Sequence, residues 1–584
     1  MNCPSRTDEL PLHDGLNQNP SGLAGDLTTR QDLNGIVNIR TDQDISTAPY
    51  NEKSDPHLDG KNNPDGASEK VSQGWRPLNE ESMFPTDQKT KTPTVSLISK
   101  WRFRSPPKSV SLCRCFHSAS QVFWKYGKFI GPGFMVAVAY IDPGNYSTDV
   151  AAGAATRFKL LFIVFMSNVF AIILQTLAIR LGTITGMNLA ENCRVHLPRW
   201  LNIILYILGE AAIIATDIAE VIGSAIALNL LIKVPLVAGC AITMVDVLII
   251  LLFYNPNGSM RGLRFFEYFV MALVLGVVVC FCIELSLIDG TSVGEVFRGY
   301  LPSSTIVEGQ GIYLSCGILG ATVMPHSLYL GSGIVQARLQ EFDRRAGNAP
   351  PENTSTQSTT KVYYKPSLAA IRACLRFSIT EMASSLFTFA LFVNSAILIV
   401  AGASLSSDSA AESADLFGIH DLLAKTIAPA AGTVFALALL LSGTSAGIIC
   451  TIAGQMLSEG ALNWSIAPWI RRLLTRSISI TPSIIIADAV GKEGLSAALN
   501  GTQVALSVCL PFVSAPLIYF TCRNRYMKVG GNADRLPEGE DFDEETEEVQ
   551  MRNHWLLSTF AVLVWLVIVI MNVALLVLLG LGKA

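Results

Sequence analysis

Charged residues are scarce in this chain. Asp, Glu, Lys and Arg make up 15% of its 584 residues, whereas hydrophobic residues make up 50%. Soluble globular domains carry about 25% charged residues, so the long uncharged stretches exclude a soluble protein and indicate one that lies in a membrane. The net charge of −4 is nearly balanced, and the composition therefore does not indicate a nucleic-acid partner.

Three sequence signatures are also missing. The 12 cysteines are scattered, several of them inside apolar runs, so no disulfide framework is indicated. No Gly-x-x-x-x-Gly-Lys-Ser/Thr run is present, which argues against an ATP-driven pump. The N-terminus has no basic start followed by an apolar segment, so we expect no cleaved signal peptide, and the first span must act as the targeting signal.

Eleven apolar segments each approach the roughly 20 residues that cross a bilayer as a helix. With the N-terminus in the cytosol, the inward loops carry about nineteen Lys and Arg residues and the outward loops six, as the positive-inside rule requires. The sequence therefore predicts an all-α integral membrane protein with eleven transmembrane helices, in the plasma membrane or an endosomal or vacuolar membrane. The segments lie at about 127–153, 158–181, 201–232, 234–254, 264–288, 308–333, 375–402, 430–458, 472–490, 499–521 and 554–582.

The polar segments divide the chain further. Residues 1–120 are rich in Asn, Asp, Gly, Pro, Ser and Thr and lack apolar runs, which predicts a disordered cytosolic tail and a candidate binding segment for cytosolic regulatory partners. Eight of the eleven residues from Glu538 to Glu548 are acidic, which favours a solvated loop over a metal sensor. The remaining expected divisions are spans 1–6 in 121–335, a cytosolic connector at 336–374, spans 7–10 in 375–521, an acidic cytosolic loop at 522–553, and span 11 with the C-terminus in 554–584.

The first apolar segment is interrupted by Asp142-Pro143-Gly144-Asn145. Pro143 has no N–H to donate and Gly144 adopts dihedral angles that other residues avoid, so the helix must break there and free carbonyl oxygens beside a carboxylate and an amide. Irregular backbone at membrane depth is tolerated only where it lines a cavity or is buried in protein. We therefore expect a binding site at this break.

The sixth apolar segment contains a second break. Small residues lead to Ala321-Thr-Val-Met324-Pro325-His326, so a proline again stands in mid-membrane, with a titratable side chain after it. Broken first and sixth spans, one in each five-span half, are typical of transporters with their site at the midplane. The sequence predicts a five-plus-five inverted repeat of the LeuT type.

A plainer interpretation is that Pro143 and Pro325 merely kink two packed helices. Kinks alone do not explain why Asp142, Asn145 and His326 stand at the breaks. We therefore favour the binding site.

The residues at the two breaks offer both hard and soft ligands. Asp142 has a carboxylate, Asn145 an amide oxygen, Ala321 a carbonyl and Met324 a thioether. Oxygen ligands alone would suit calcium or magnesium, whereas sulfur favours softer transition ions. Divalent manganese or iron fits this set as a substrate.

The third segment carries two carboxylates on one helical face. Asp217 and Glu220 are three residues apart. Two carboxylates in low dielectric cannot both ionise cheaply, so one of them is expected to carry a proton. Arg476, or Arg472 one turn earlier, is a candidate counter-charge for this pair. The alternative is that both arginines only set the topology, as positive residues on the cytosolic side.

At these residues the chain resembles the Nramp family of divalent metal ion/proton symporters. The resemblance covers about residues 125–580, and the sequences at the two breaks match the family's two most specific motifs. The long tail and the eleven spans are similar to the fungal manganese transporters of that family. In the signature after the eighth span the chain departs from the pattern, because Thr444 stands where many members have Gln.

The resemblance implies a proton-coupled transporter of manganese and/or iron into the cytosol, with no enzymatic activity and no resident cofactor. It implies the following metal ligands: Asp142, Asn145, Met324, the Ala321 carbonyl and, in the tenth span, Gln503. It implies a proton route through His326, Asp217, Glu220 and Arg476.

Two other functions compete with this interpretation. A sodium-coupled amino-acid or organic-cation carrier on the same scaffold would need room for an organic substrate and would gain nothing from Met324. An intramembrane aspartyl protease using Asp142 and Asp217 would need a Gly-x-Gly-Asp setting, which neither residue has, and would not have a proline directly after Asp142.

Overall fold

The computed structural model is built almost entirely of helices. It describes residues 131–254, 260–288, 290–348, 363–406, 416–463, 468–489, 491–529 and 548–581. The helices of the first half are α1 Pro132–Val138, α2 Pro143–Thr156, α3 Leu161–Thr185, α4 Leu189–His196, α5 Arg199–Ile232, α6 Leu236–Leu252, α7 Met260–Ser286, α8 Val293–Arg298, α9 Gly309–Thr322 and α10 Pro325–Ile334, with a 3₁₀ turn at Ser304–Val307.

The second half continues the all-helical pattern. Its helices are α11 Gln336–Arg345, α12 Leu368–Ser385, α13 Leu391–Ser404, α14 Leu416–Thr426, α15 Pro429–Leu462, α16 Pro468–Ala489, α17 Gly491–Thr521 and α18 Trp555–Gly580, with a π-helical turn at Leu386–Ala390 joining α12 to α13. The strands β1 Lys528–Val529 and β2 Val549–Gln550 pair antiparallel, with Lys528 opposite Gln550. The all-α class is confirmed.

Both predicted helix breaks are present. The first span divides into α1 and α2 around residues 139–142, and the sixth divides into α9 and α10 around Val323 and Met324. In each case the second half begins at the proline, Pro143 or Pro325. This position suits proline because the first N–H of a helix has no partner within the helix.

Every predicted apolar segment coincides with a helix or a pair of helices. Among the described residues, eight helical stretches are long and apolar enough to cross a membrane. The number of spans and the inverted symmetry stay predictions. At both ends the expected connector is helical, since α11 ends at Arg345 and α12 begins at Leu368. Residues 1–120 and most of the acidic segment lie outside the described residues.

Small residues bring the long helices against the first break. A Cβ atom on Gly223 of α5 would lie 2.3 Å from the Pro143 Cβ, and one on Gly443 of α15 would lie 2.1 Å from the Ser224 hydroxyl oxygen. Contacts this close leave room only for glycine, and small residues are what allow membrane helices to approach each other. The break is therefore enclosed by α5 and α15.

A carboxylate from α12 holds the N-terminal end of α1. Glu381 Oε1 accepts the N–H groups of Gly131 at 2.6 Å and Gly133 at 3.1 Å, and Glu381 Oε2 accepts from an Arg338 Nη at 2.9 Å. The first N–H groups of a helix need an outside acceptor, and a negative charge there is favoured by the helix dipole. This group lies at the end of the bundle that the positive-inside pattern assigns to the cytosol.

We expect Glu381→Ala to lower the free energy of unfolding by about 3 kcal/mol, because two helix N–H groups lose their acceptor and Arg338 loses one carboxylate contact in a largely buried place. The matched control is Glu341→Ala, whose partners Arg344 and Arg345 are exposed, so its cost is expected to stay below about 1 kcal/mol. Unfolding of the purified protein in detergent measures both. An equal decrease in the free energy of unfolding in both variants would contradict the role given to Glu381.

Candidate metal-binding site

Asp142 is the N-cap of α2 and is fully buried. Its Oδ1 accepts the backbone N–H of Asn145 at 3.1 Å and the Asn145 side-chain amide at 2.6 Å, and its Oδ2 accepts the backbone N–H of Gly144 at 3.1 Å. The helix break thus supplies the donors that a buried carboxylate requires. They hold the carboxylate in one orientation at membrane depth.

The backbone carbonyls next to the break accept hydrogen bonds from side chains. The Tyr140 carbonyl accepts the amide of Asn145 at 3.1 Å and that of Asn394, on α13, at 3.2 Å. The Ile141 carbonyl accepts the hydroxyl of Ser442, on α15, at 2.9 Å. The expectation that these carbonyls stay free beside Asp142 is therefore wrong for both of them, because unpaired carbonyls in a dry interior are costly.

The second break lies against the first. The Thr322 hydroxyl is 3.5 Å from Asn145 Oδ1, and the Tyr140 and Ser327 hydroxyls are 2.9 Å apart. Ala321 and Met324 are both fully buried in this region. Because Pro325 has no N–H, it cannot donate to the Ala321 carbonyl four residues earlier, as a helix would otherwise require.

Gln503 of α17 lies against both breaks. A Cβ on Gly144 would be 2.2 Å from Gln503 Nε2, and a Cβ on Gly320 would be 2.9 Å from the Gln503 carbonyl. The Gln503 side chain is buried, and its Oε1 has no hydrogen-bond partner among the described residues. A buried amide oxygen without a hydrogen-bond partner has the chemistry to bind a cation.

A cavity of about 140 Å³ borders Gln503 on the side of α2 and α9. Its walls include Thr148, Gln310, Tyr313 and Gly317. A Cβ on Gly317 would lie 3.4 Å from the Thr148 methyl group. Polar groups therefore line the approach to Gln503.

The structure thus brings the predicted metal ligands to one pair of helix breaks. Asp142 and Asn145 stand at the first break, Ala321 and Met324 at the second, and Gln503 packs against Gly144. Their donor atoms are a carboxylate, three amide or peptide oxygens and a thioether. This set fits a divalent transition ion carried as substrate, since it combines charge with one soft ligand.

The predicted carboxylate pair lies beside this site and is bridged by an arginine. Arg476 of α16 contacts Asp217 Oδ1 and lies 3.8 Å from Glu220 Oε2. All three side chains are buried. Of the two candidate counter-charges named from the sequence, Arg476 contacts the pair, and the side chain of Arg472 lies outside the described residues.

Cys450 of α15 lies close to the same carboxylates. Potential ligand atoms of Asp217, Glu220 and Cys450 lie within 4.8 Å of one another. The guanidinium group of Arg476 already contacts both carboxylates, so a dication would have to displace a buried positive charge. We therefore interpret this cluster as an ion-pair network.

His326 connects the second break to α5. Its Nδ1 lies 3.3 Å from the Thr216 hydroxyl oxygen, and that hydroxyl donates to the Ala212 carbonyl at 2.9 Å. The Thr216 oxygen is then left to accept a hydrogen bond from Nδ1–H, which selects the histidine tautomer with the proton on Nδ1. Thr216 immediately precedes Asp217, so His326 lies next to the ion-pair network.

Several buried polar residues near the site were missed at the level of sequence. Gln175 of α3 donates to the Tyr140 hydroxyl and to the Ser327 carbonyl, both at 2.9 Å, and Asn394 and Ser442 cap the first break. The available signal was a single amide or acid inside an apolar run. Burying such a side chain in a membrane costs free energy, so its presence indicates a structural or functional role. The acids Asp149 and Glu284 carry the same signal, and both are fully buried.

Comparison with known proteins identifies the family of this chain. The sequence model of the Nramp family, described as natural resistance-associated macrophage protein-like, matches residues 133–534. The manganese transporter SMF1 of Saccharomyces cerevisiae is 50% identical over 499 residues, which cover 79% of this chain and 87% of that protein. The iron transporter SMF3 of the same yeast is 53% identical over 414 residues, or 70% of this chain and 85% of that protein.

A solved structure has the same fold. The manganese transporter of Eremococcus coleocola matches with a TM-score of 0.62 and 30% identity, over 78% of this chain and 87% of that one. The family match spans both helix breaks and the ion-pair network. This chain belongs to the Nramp family.

Proposed function

We propose that this chain carries divalent manganese and iron ions across the membrane into the cytosol together with protons. The observation that carries the proposal is the buried Gln503 Oε1, which lacks a hydrogen-bond partner among the described residues and lies against the break capped by Asp142. A dication bound there would satisfy the amide oxygen and the buried charge together. The names of the yeast relatives, manganese and iron transporters, point the same way.

The space at the site favours an ion over an organic substrate. Pockets for small organic molecules hold roughly 300 Å³ or more, whereas the cavity beside Gln503 holds about 140 Å³. The close packing of Gln503 on Gly144 leaves little room to enlarge it. A sodium-coupled carrier of amino acids or organic cations is therefore disfavoured.

The proton route is inferred from charge balance. Asp217 and Glu220 contribute two negative charges to a buried group in which Arg476 supplies one positive charge. The remaining negative charge is unfavourable at membrane depth, so a proton is the natural neutraliser. His326, in contact with Thr216, offers a connection from the metal site to this network.

The topology assigned to the transporter follows from the distribution of arginine and lysine. The N-terminus is placed in the cytosol by the positive-inside rule, and the membrane is the plasma membrane or an endosomal or vacuolar membrane. Import into the cytosol then follows from a proton gradient that is acidic outside or in the compartment lumen.

The Asp142 carboxylate is expected to be essential for metal binding. Asp142→Asn keeps an oxygen that can cap α2 but removes the charge, so we expect the Kd for Mn²⁺ to rise by at least roughly 100-fold with little change in thermal stability. Asp142→Ala removes the cap as well and should also cost about 1 kcal/mol of stability. Calorimetric titration and thermal unfolding separate the two effects. Wild-type affinity in Asp142→Asn would contradict the site assignment.

The thioether of Met324 is expected to select against hard ions. In Met324→Ala, manganese transport should persist while excess calcium or magnesium begins to compete, because the remaining ligands are oxygens. Met382→Ala, which truncates another fully buried methionine on α12, is the control for lost packing. Uptake of Mn²⁺ into proteoliposomes with and without excess Ca²⁺ is the measurement. If calcium still fails to compete in Met324→Ala, cavity size and not sulfur sets the selectivity.

Neutralising Asp217 is expected to uncouple protons from the metal. Asp217→Asn leaves the proposed metal ligands unchanged and lets Arg476 pair with Glu220 alone, so Mn²⁺ should still bind while transport loses its stimulation by an acidic exterior. Internal acidification and metal uptake are measured together at several external pH values. Full proton flux with an unchanged pH dependence would make the pair structural and leave His326 or Asp142 as the proton carrier.

A further inference from the structure

A large apolar groove lies on the outside of the bundle, away from the metal site. It has a volume of about 680 Å³ and is bounded by α5, α17 and α18. It follows α17 from Val508 to Tyr519, a separation of about 16 Å along a helix axis. Leu205, Phe512, Ala515, Trp565 and Val573 are among the residues that line it.

The polar groups in the groove wall already have partners. Trp565 Nε1 donates to the Pro511 carbonyl at 2.9 Å. Asn572 donates to the Ile568 carbonyl at 2.9 Å and accepts the Ser507 hydroxyl at 2.7 Å. The wall therefore presents hydrocarbon to whatever occupies the groove.

One end of the groove lies at the level of the membrane interface. Leu197 and Tyr519 line that end, and they lie beside the start of α5 and in the last turn of α17. The Asn553 N–H donates to the Thr521 carbonyl at 3.2 Å, which brings the start of α18 to the same level. Trp200 and Trp555, in the first turns of α5 and α18, are both largely exposed, as tryptophans of the interfacial belt are.

Positive charge is concentrated at this end. The Arg523 guanidinium carbon lies 4.4 Å from the centre of the Tyr519 ring, and that of Arg525 lies 5.9 Å from the centre of the Tyr526 ring. The Tyr519 and Tyr526 hydroxyls are 3.4 Å apart, so the two arginines flank one aromatic pair. Both arginines are exposed, and neither forms an ion pair with any carboxylate in the described ranges.

The histidine at this end does not add to the charge. His196 is packed against Tyr526 with ring centres 4.8 Å apart. Partial burial, and secondarily the nearby charge of Arg525, lower the pKa of His196 below its ordinary value. At neutral pH the positive charge therefore comes from the arginines.

We propose that this groove binds one anionic phospholipid of the surrounding bilayer, with an acyl chain along α17 and α18 and the phosphate against Arg523 and Arg525. An apolar groove that ends in guanidinium groups at the interface matches the two halves of such a lipid. Arginine is suited to phosphate because its planar fork donates two parallel hydrogen bonds. Basic pockets between helices at the cytosolic side of a membrane protein are a known kind of lipid headgroup site.

The test is native mass spectrometry of the full-length protein released from detergent containing equal amounts of dioleoyl phosphatidylserine and dioleoyl phosphatidylcholine. These probes share their acyl chains and differ in headgroup charge. We expect one tightly held phosphatidylserine per chain. In Arg523→Gln/Arg525→Gln the ratio of retained phosphatidylserine to phosphatidylcholine should fall by roughly tenfold, because each arginine near a membrane surface contributes appreciably to anionic lipid binding.

Two further variants distinguish the contribution of the arginine charges to lipid binding from that of the apolar groove. Arg344→Gln/Arg345→Gln removes the same charge from α11, where both side chains are exposed, and should leave the ratio unchanged. Ala515→Phe fills the groove and should remove the tightly held lipid, whatever its headgroup. Thermal unfolding checks that every variant is folded.

Five outcomes would overturn the proposal. The wild-type protein could retain both lipids equally. Arg344→Gln/Arg345→Gln could lose as much selectivity for phosphatidylserine as Arg523→Gln/Arg525→Gln. Ala515→Phe could keep its bound lipid. Added cholesterol could displace the lipid without regard to Arg523 and Arg525, or Ala515→Phe could dissolve a dimer, and the occupant would then be a sterol or a second copy of the chain.

Discussion

The fold depends on a buried carboxylate that replaces hydrogen bonds lost from a broken helix. Asp142 accepts three donors that the break itself exposes, so the interruption and the charge stabilise each other. Without the carboxylate, two backbone N–H groups and the Asn145 amide would lose their acceptor in a medium without water, and without the break the charge would lose those donors. The same arrangement leaves the carboxylate at membrane depth, in the place that we propose for the metal ion.

The rest of the interior supports this break with polar side chains from distant helices. Asn394 and Ser442 cap two carbonyls of the first span, and Glu381 caps the start of α1. Each of these polar side chains, if unpaired in an apolar helix, would destabilise the folded protein. Together they hold α1 at both of its ends by directed bonds, which dispersion contacts cannot do.

The sequence was informative where the signal is local. A proline next to an acid or a histidine inside an apolar run predicted both breaks, and the spacing of Asp217 and Glu220 predicted their shared face. The partners could not be read in this way, because Asn394 contacts a carbonyl 254 positions away and Glu381 a backbone N–H 250 positions away. The position of Gln503 came from resemblance alone, since only the tertiary fold shows that Gly144 leaves space for its amide.

The proposed metal and proton sites are joined through one short helix. Met324 precedes Pro325 and His326 follows it, so the proposed soft metal ligand and the contact to Thr216 both lie at the start of α10. Thr216 is adjacent to Asp217, whose charge is balanced by Arg476 from α16. A displacement of α10 on metal binding would therefore alter the surroundings of the ion-pair network without any direct contact between metal and carboxylate pair. Coupling of this kind requires only that both sites bias the same movable element.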